Sequence, residues 1–472
     1  MYINGEWLRT DQVFEVNNPA TGEKVDTVYF AGEEETNWAI QAAENAFPQW
    51  AAFTAEQRSS YLWRIVEKLR EKKEEMAQII TKEMGKTIHH ARQEVASTVA
   101  FFQWYAEEAR RIYGEIIPPS AANKRLQVIR QPVGVVGAIT PWNFPLSMAA
   151  RKLGPALATG CTVILKPSKE APLSSVALFK IFDEIGMPKG VANLVIGQSG
   201  PIANTLMNSK IVKKISFTGS TEVGKVLIAQ SAQTVKRVSM ELGGHAPFIV
   251  FNDADIDLAV EGLVGSKFGS NGQQCVCPNR VYVQEGIYSE FAEKLKGKVQ
   301  NIKVGNGLDE QNEMGPLVYE EAIGKVQEQV DDAVRLGACV LNGGKRLSGG
   351  SYSNGYFYAP TVLADVTDNM LITREETFGP VIPLLRFRSE EEVIERANNI
   401  EYGLASYFYT KDLSRMYRVS EKLDYGMVGV NDAIPFAVQA PFGGVKESGL
   451  GREGGKYGLD DYLDTKMISV QI

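Results

Sequence analysis

The chain has 472 residues, with 57 acidic against 50 basic side chains and a formal net charge of -7. Hydrophobic residues at 44% and charged residues at 23% are a globular composition, which excludes disordered, collagenous and small disulfide-stapled classes. The acidic balance excludes a broad nucleic-acid footprint, though local cations or helix ends can still hold an anionic small molecule.

At roughly 150 residues per domain, the length fits three domains or two larger ones. Four cysteines in a chain this long form no disulfide framework and point to a reducing compartment. With no CxxC and no HExxH, a metal site is not expected. The N-terminal MYINGEWLRTDQ lacks the apolar core of a signal peptide. Residues 131–150 carry no charge, but Pro132, Pro141, Asn143 and Pro145 interrupt them as a strand, turn and helix start. A cytoplasmic protein is expected.

In chain order, three long segments within residues 33–114 place apolar residues at three- and four-residue spacing. They predict a helical cover without reactive constellations, with Thr54 as an N-cap and Gly85 and Gly114 as helix ends. From about Gln127, the β-branched runs VGVVGAI, CTVIL, ANLVI, VKKISF and PFIVF alternate with helical patterns near 145–159, 172–186, 200–208 and 221–233. That alternation predicts βαβ units and a parallel sheet covered on both faces, whose site opens at the carboxyl ends of the strands. From Asp253 to Tyr425 a second α/β unit is expected, with helices near 254–268, 286–300, 318–336, 389–399 and 412–423. The terminal KMISVQI reads as a strand that must pair with another element or another subunit.

Two glycine patterns resemble phosphate loops. SGLGREGG holds a literal GxGxxG at Gly449, Gly451 and Gly454, but no room remains after it for a βαβ unit, so a turn-rich loop is expected. GSTEVGKV at 219–226 follows a strand and has Val226 where a Walker loop needs a hydroxyl. It reads either as an ordinary strand–turn–helix or as a pyrophosphate contact, with Gly219 allowing close approach and Ser220 at a helix N-terminus.

Four further segments admit a chemical reading beside a plain one. In CTVILKPSKEAP, Lys166 ends a strand before Pro167, Ser168 and Lys169; it reaches a nucleotide or is solvated surface. In PWNFP, Asn143 is held between prolines beside Trp142; it donates to a developing oxyanion or bonds its own backbone as a turn residue. In GSNGQQCVCPNR, Cys275 is a nucleophile kept as thiolate by positive potential, or a small buried hydrophobe. Cys277 is placed to cap it on oxidation. In MELGGHAPFIV, Glu241 is a buried carboxyl of raised pKa that takes a proton from water, or a structural acid. His245 leaves a thiol–histidine pair as the runner-up.

Read in order, PWNFP, KPSKE, FTGSTEVG, ELGG, GQQC, EETFGP at 375–380 and PFGGVKESGLGREGG resemble the aldehyde dehydrogenase superfamily over essentially the whole chain. The ending SGLGREGGKYGLDDYLDTK is most similar to the succinate-semialdehyde dehydrogenase branch. The resemblance implies an α/β chain in three parts. Residues 1–118 and 141–242 form a Rossmann-like cofactor domain, and residues 243–442 a second α/β domain carrying the nucleophile. Residues 119–140 and 455–472 form oligomerisation strands of a homodimer or homotetramer. It further implies that Cys275 attacks an aldehyde to give a thiohemiacetal and then a thioester, that Asn143 and the Cys275 N–H hold the oxyanion, and that Glu241 activates the hydrolytic water. Trp142, Asn143, Lys166, Pro167, Ser168, Lys169, Gly219, Ser220, Leu242 and Glu376 would line NAD or NADP, with Glu376 on a ribose and no metal required.

Three positions depart from the pattern. Lys169 stands where many NAD-preferring members carry an acid, so NADP is expected to be accepted. Gly269 replaces the branch's arginine six residues before the nucleophile, and Phe436 and Ala437 replace a serine region. Arg151 matches the branch's other substrate arginine. The expected reaction is oxidation of a semialdehyde to its acid. The alternatives are oxidation of a more apolar aliphatic or aromatic aldehyde, a cofactor-independent thiol esterase, and a binding protein that has lost turnover.

Overall fold

A computed structural model describes all residues 1–472. The first sheet has eight strands. Its parallel centre runs Ala192–Leu194, Thr162–Lys166, Val135–Ile139, Val212–Thr218 and Arg237–Glu241. The chain starts at Val135–Ile139, builds outward to one side, then returns to build on the other, so strand order reverses beside Val135–Ile139. In such sheets the crevice outside the reversal point is where ligands bind. The central strands Val135–Ile139 and Thr162–Lys166 are buried at every position, because helices cover both faces.

The helical cover forms as four helices rather than three: Glu33–Ala52, Ala55–Glu71, Lys73–Met84 and Ile88–Glu108. The second expected segment breaks at Lys72, whose φ of -98° and ψ of 17° leave the helical region. Thr54 caps as expected, accepting from the Gln57 N–H. Gly85 ends its helix at φ +85°, where a Cβ would meet Pro316 at 2.7 Å. Gly114 ends no helix. The last helix stops at Glu108 in a 3-10 turn, and Gly114 passes so near the Val128 carbonyl that a Cβ would lie 2.2 Å from it. A core of 49 buried residues joins this cover to helix Pro145–Thr159 and one face of the sheet.

The second sheet has seven strands, ordered Cys339–Asn342, Thr361–Ala364, Val381–Phe387, Pro278–Gln284, Ala246–Val250, Ala405–Tyr409 and Met427–Val430. All neighbours are parallel except the first pair. Only residues 242–245 separate the carboxyl end of Arg237–Glu241 in one sheet from the amino end of Ala246–Val250 in the other. The cleft therefore joins strand ends of opposite sense.

A third sheet pairs Leu463–Gln471 with Lys124–Pro132, from Leu463↔Pro132 to Gln471↔Lys124, and adds Glu115–Ile117. The terminal strand thus finds its partner within the chain. The short N-terminal strands, including the hairpin of Val13–Asn17 and Lys24–Tyr29, carry too few alternating residues to stand out in sequence. No helix is long and apolar enough to cross a membrane.

Candidate active site

Strand register brings the candidate segments together. Ile139 pairs with Lys166 and Phe217, and Thr218 with Glu241, so the loops after all four strands leave one sheet edge. A cavity of about 350 Å³ opens there, lined among others by Trp142, Asn143, Gly219, Ser220, Leu242, Cys275 and Glu376. Cys275 reaches it from the second sheet, just before strand Pro278–Gln284. Gly244 lets the two segments touch, since a Cβ there would lie 2.2 Å from the Cys275 carbonyl oxygen.

Asn143 is held at both ends of its side chain. Its Oδ1 accepts from the Phe144 N–H at 3.1 Å, and its Nδ2 donates to the Gln273 carbonyl at 3.1 Å. An amide nitrogen carries two hydrogens, so one N–H remains beside Cys275.

The Cys275 thiol is half-buried and free. Burial pushes it up to about 12, with Glu376 and Glu241 adding and Arg151 opposing. The positive potential expected to hold a thiolate is thus opposed in the cofactor-free site, first by burial and then by the carboxyls. Glu241 is 4% exposed, and its buried Oε2 has no hydrogen-bond partner. Burial and then Glu453 raise it well above the usual carboxylate range, against Lys152 and Arg151. Its neighbourhood is closed by glycine: a Cβ on Gly443, at φ +156°, would lie 2.8 Å from Glu241 Oε1.

His245 offers no competing base. It is fully buried, both ring nitrogens lack partners, and burial with Arg280 holds its pKa well below the usual value. Cys277 is buried, and its Sγ donates to the Ser266 and Lys267 carbonyls at 3.6 and 3.5 Å.

The nucleotide candidates divide between two adjoining places. Gly219 and Ser220 open helix Thr221–Ser231, where Ser220 caps the Val223 N–H. A Cβ on Gly219 would sit 2.4 Å from the Phe217 ring, so only glycine leaves this helix end open to a phosphate. Glu376 accepts from the Gly244 N–H at 3.0 Å, and burial pushes it up to about 7.

Lys166, Pro167, Ser168 and Lys169 do not line this cavity. Lys166 is buried, donates to Ser199 Oγ at 2.7 Å, and is lowered by burial to about 8. Lys169 is exposed, 3.8 Å from Glu170, and lines a neighbouring cavity of about 450 Å³ that shares Tyr319 and Glu321 with the first. An open helix end and the carboxylate of Glu376 in one cavity and the exposed Lys169 in the adjoining one suit an extended dinucleotide. The GxGxxG lookalike is no such site: Gly449–Leu450 is an edge strand paired with Met240 and Glu241.

Arg151 lines neither cavity and lies over the Phe442 ring at 4.2 Å and the Phe101 ring at 5.0 Å. Its buried Nε and Nη1 lack hydrogen bonds, and Glu453 is 3.8 Å away. Phe436 packs on Phe442 at 5.7 Å. At Gly269, where the resembling branch has arginine, a Cβ would meet Gln274 and His90 rather than open water.

Several polar residues here escape sequence reasoning. Lys152 donates to Glu453 at 2.7 Å from within an apolar helix, and Lys86 to Glu94 at 2.6 Å from the loop before helix Ile88–Glu108. The available signal is charge on an inward stripe: Glu94 shares its helix face with Ala91, Thr98 and Phe101.

A reversed parallel sheet and an open helix end beside a cysteine-bearing cleft suit a nucleotide-binding enzyme with a thiol at its site. The chain belongs to the aldehyde dehydrogenase family, whose profile matches residues 7–468. It is 51% identical to the glutarate-semialdehyde dehydrogenase of Pseudomonas putida, covering 100% of this chain and 97% of that one. It is 50% identical to the NADP(+) succinate-semialdehyde dehydrogenase of Escherichia coli, covering 99% and 97%. A crystal structure of an Escherichia coli NADP-dependent enzyme superposes with a TM-score of 0.98 at 49% identity, covering 100% of this chain and 98% of that one. The protein is thus an NAD(P)-dependent enzyme that oxidises an aldehyde.

Proposed function

We propose that the chain oxidises an aldehyde bearing a distal carboxylate, a semialdehyde of the succinate or glutarate kind, with Cys275 as nucleophile, Asn143 as oxyanion donor and Glu241 as base. The observation that carries the substrate class is Arg151, whose buried Nε and Nη1 make no hydrogen bond, Glu453 Oε2 lying 3.8 Å from Nη1. A guanidinium with unfilled hydrogen bonds takes a carboxylate as a bidentate partner. The two relatives of about 50% identity named above act on such semialdehydes.

In this reading the Cys275 proton passes to Glu241 Oε2, an acceptor otherwise unpaired. Sulfur then bonds to the aldehyde carbon, and the oxygen charge is met by the free Asn143 N–H. The bound oxidised nicotinamide supplies the hydride acceptor. Glu241, having released that first proton to solvent, takes a proton from the water that cleaves the resulting thioester, and the acid leaves with Cys275 freed as the thiol. Trp142, Gly219, Ser220, Leu242 and Glu376 hold the nicotinamide half. Lys166, Pro167, Ser168 and Lys169 face the adenosine half, where the exposed Lys169 ammonium favours a 2′-phosphate. Phe436 and Phe442 form an apolar mouth. Residues 1–118 with 141–242 form the cofactor domain and 243–442 the nucleophile-bearing one. Residues 119–134 and 455–472, rather than the expected 119–140 whose Val135–Ile139 is the buried central strand of the first sheet, serve homo-oligomer contacts, and the enzyme works in the cytoplasm.

The test is a panel of semialdehydes and uncharged aldehydes of equal length, run with NAD and NADP on the parent, Arg151→Leu and Lys169→Glu. A charged hydrogen bond is worth about 1.5–3 kcal/mol, so Arg151→Leu is expected to cut kcat/KM for semialdehydes by roughly tenfold to a hundredfold and spare uncharged aldehydes. Lys169→Glu is expected to shift use from NADP toward NAD. Equal losses on both aldehyde types, or an unchanged cofactor ratio, would remove the respective assignment.

A further inference from the structure

The helical cover sends one buried ion pair to the back of the site. Lys86 and Glu94 face each other at 2.6 Å with side chains 0% and 0% exposed. Lys86 lies two residues before helix Ile88–Glu108 begins and Glu94 lies within it, so the pair belongs to the cover, not to the loop it meets. The other hydrogen bonds of the two charged ends all run into residues 143–147. Lys86 Nζ donates to the Asn143 main-chain carbonyl at 2.8 Å and lies 3.7 Å over the Phe144 ring. Glu94 Oε1 accepts from the Leu146 and Ser147 N–H groups at 2.9 and 3.1 Å.

Those two N–H groups lie in the first turn of helix Pro145–Thr159, whose own N-cap, Phe144, supplies no side-chain acceptor. A carboxylate from another helix thus does the capping. Neither charged group lines the cavity that holds Cys275, so neither touches substrate. Burying two charges is expensive, and hydrophobic pairs of similar volume usually match them in stability. An apolar pair would leave the Asn143 carbonyl and the Leu146 and Ser147 N–H groups without these partners, so the pair's contribution lies in what it does to residues 143–147. What it does give is position: the Asn143 carbonyl is fixed from behind while its side chain is fixed from the front by Phe144 and Gln273.

We propose that Lys86 and Glu94 are positioning residues for the reaction at Cys275, acting through Asn143 by clamping its main chain so that the second Nδ2 hydrogen points at the developing oxyanion. This rests on the reading of Asn143 as oxyanion donor. A displacement of about 1 Å at such a donor costs on the order of a hundredfold in rate.

The experiment is a double-mutant cycle on the full-length enzyme, read as the pre-steady-state burst of reduced cofactor. Lys86→Met alone strands a buried carboxylate and is at risk of misfolding, so the neutral, near-isosteric pair K86M/E94Q carries the test beside Asn143→Ala. Asn143→Ala is expected to slow the burst by about 10²–10³-fold, as for loss of one oxyanion donor. K86M/E94Q is expected to slow it by about tenfold or more, with cofactor KM and iodoacetamide alkylation of Cys275 unchanged, and to add less than about twofold when Asn143 is already alanine. A parent-like burst in K86M/E94Q overturns the proposal. So does a loss that multiplies fully with Asn143→Ala or tracks a fall in melting temperature in both backgrounds, since either marks a structural role. If Asn143→Ala itself keeps the parent burst, the oxyanion reading falls first and the clamp falls with it.

Discussion

Glu241 and Cys275 share a problem of charge. Each is raised by burial, and each raises the sulfur or is raised by another carboxyl: Glu376 and Glu241 act on the thiol, Glu453 on Glu241. A thiol at about 12 is protonated throughout the neutral range, so its thiolate fraction grows tenfold per pH unit. Iodoacetamide alkylation of Cys275 in the cofactor-free enzyme is therefore expected to rise with unit slope from pH 7 to pH 10, without a plateau. A plateau below pH 8 would show a resting thiolate and reverse the electrostatic assignment. The sign for Glu241 follows from its role: a base must be ionised, so thioester hydrolysis rises with pH through a value well above that of an ordinary carboxyl.

Two packed elements set where Asn143 stands. Helix Pro145–Thr159 crosses helix Ile88–Glu108 closely enough that a Cβ on Gly154 would lie 2.7 Å from the Tyr105 ring. Glycine inside a helix costs about 1 kcal/mol against alanine, and here the close crossing offsets that cost. Gly154→Val is expected to wedge the helices apart and destabilise the chain by about 1–3 kcal/mol, visible as a lower urea midpoint at unchanged slope. An unchanged midpoint would mean the crossing relaxes freely. The helices themselves were readable: the patterns near 254–268 and 389–399 match Ile256–Phe268 and Glu390–Asn398, because local signals decide them, the Asp255 and Ser389 caps among them. The split at Lys72 was not, since the stripe continues through it with no proline or glycine to mark the break. Nor were Lys86 and Glu94, whose meaning comes from a loop some 50 residues away. The segments around Asn143, Glu241 and Cys275 were legible because turns of fixed geometry demand glycine and proline. The charge state of the sulfur was not, since it depends on Glu376, Glu241 and Arg151 from three distant segments.

At the scale of the whole molecule, two parallel sheets meet through residues 242–245, the carboxyl edge of one against the amino edge of the other. The first edge supplies an open helix end and Asn143, and the second supplies Cys275. Neither sheet alone holds the chemistry, so the cleft between them is the working unit. The claim at its centre is a covalent acyl intermediate on Cys275 that Glu241 releases. Its most direct test is the mass of Cys275-containing peptides from Glu241→Gln after brief incubation with a semialdehyde and oxidised cofactor. The expected result is one acyl adduct on Cys275, formed with one equivalent of reduced cofactor and absent from Cys275→Ala. Reduced cofactor made at the parent rate by Cys275→Ala, with no adduct on any variant, would contradict it.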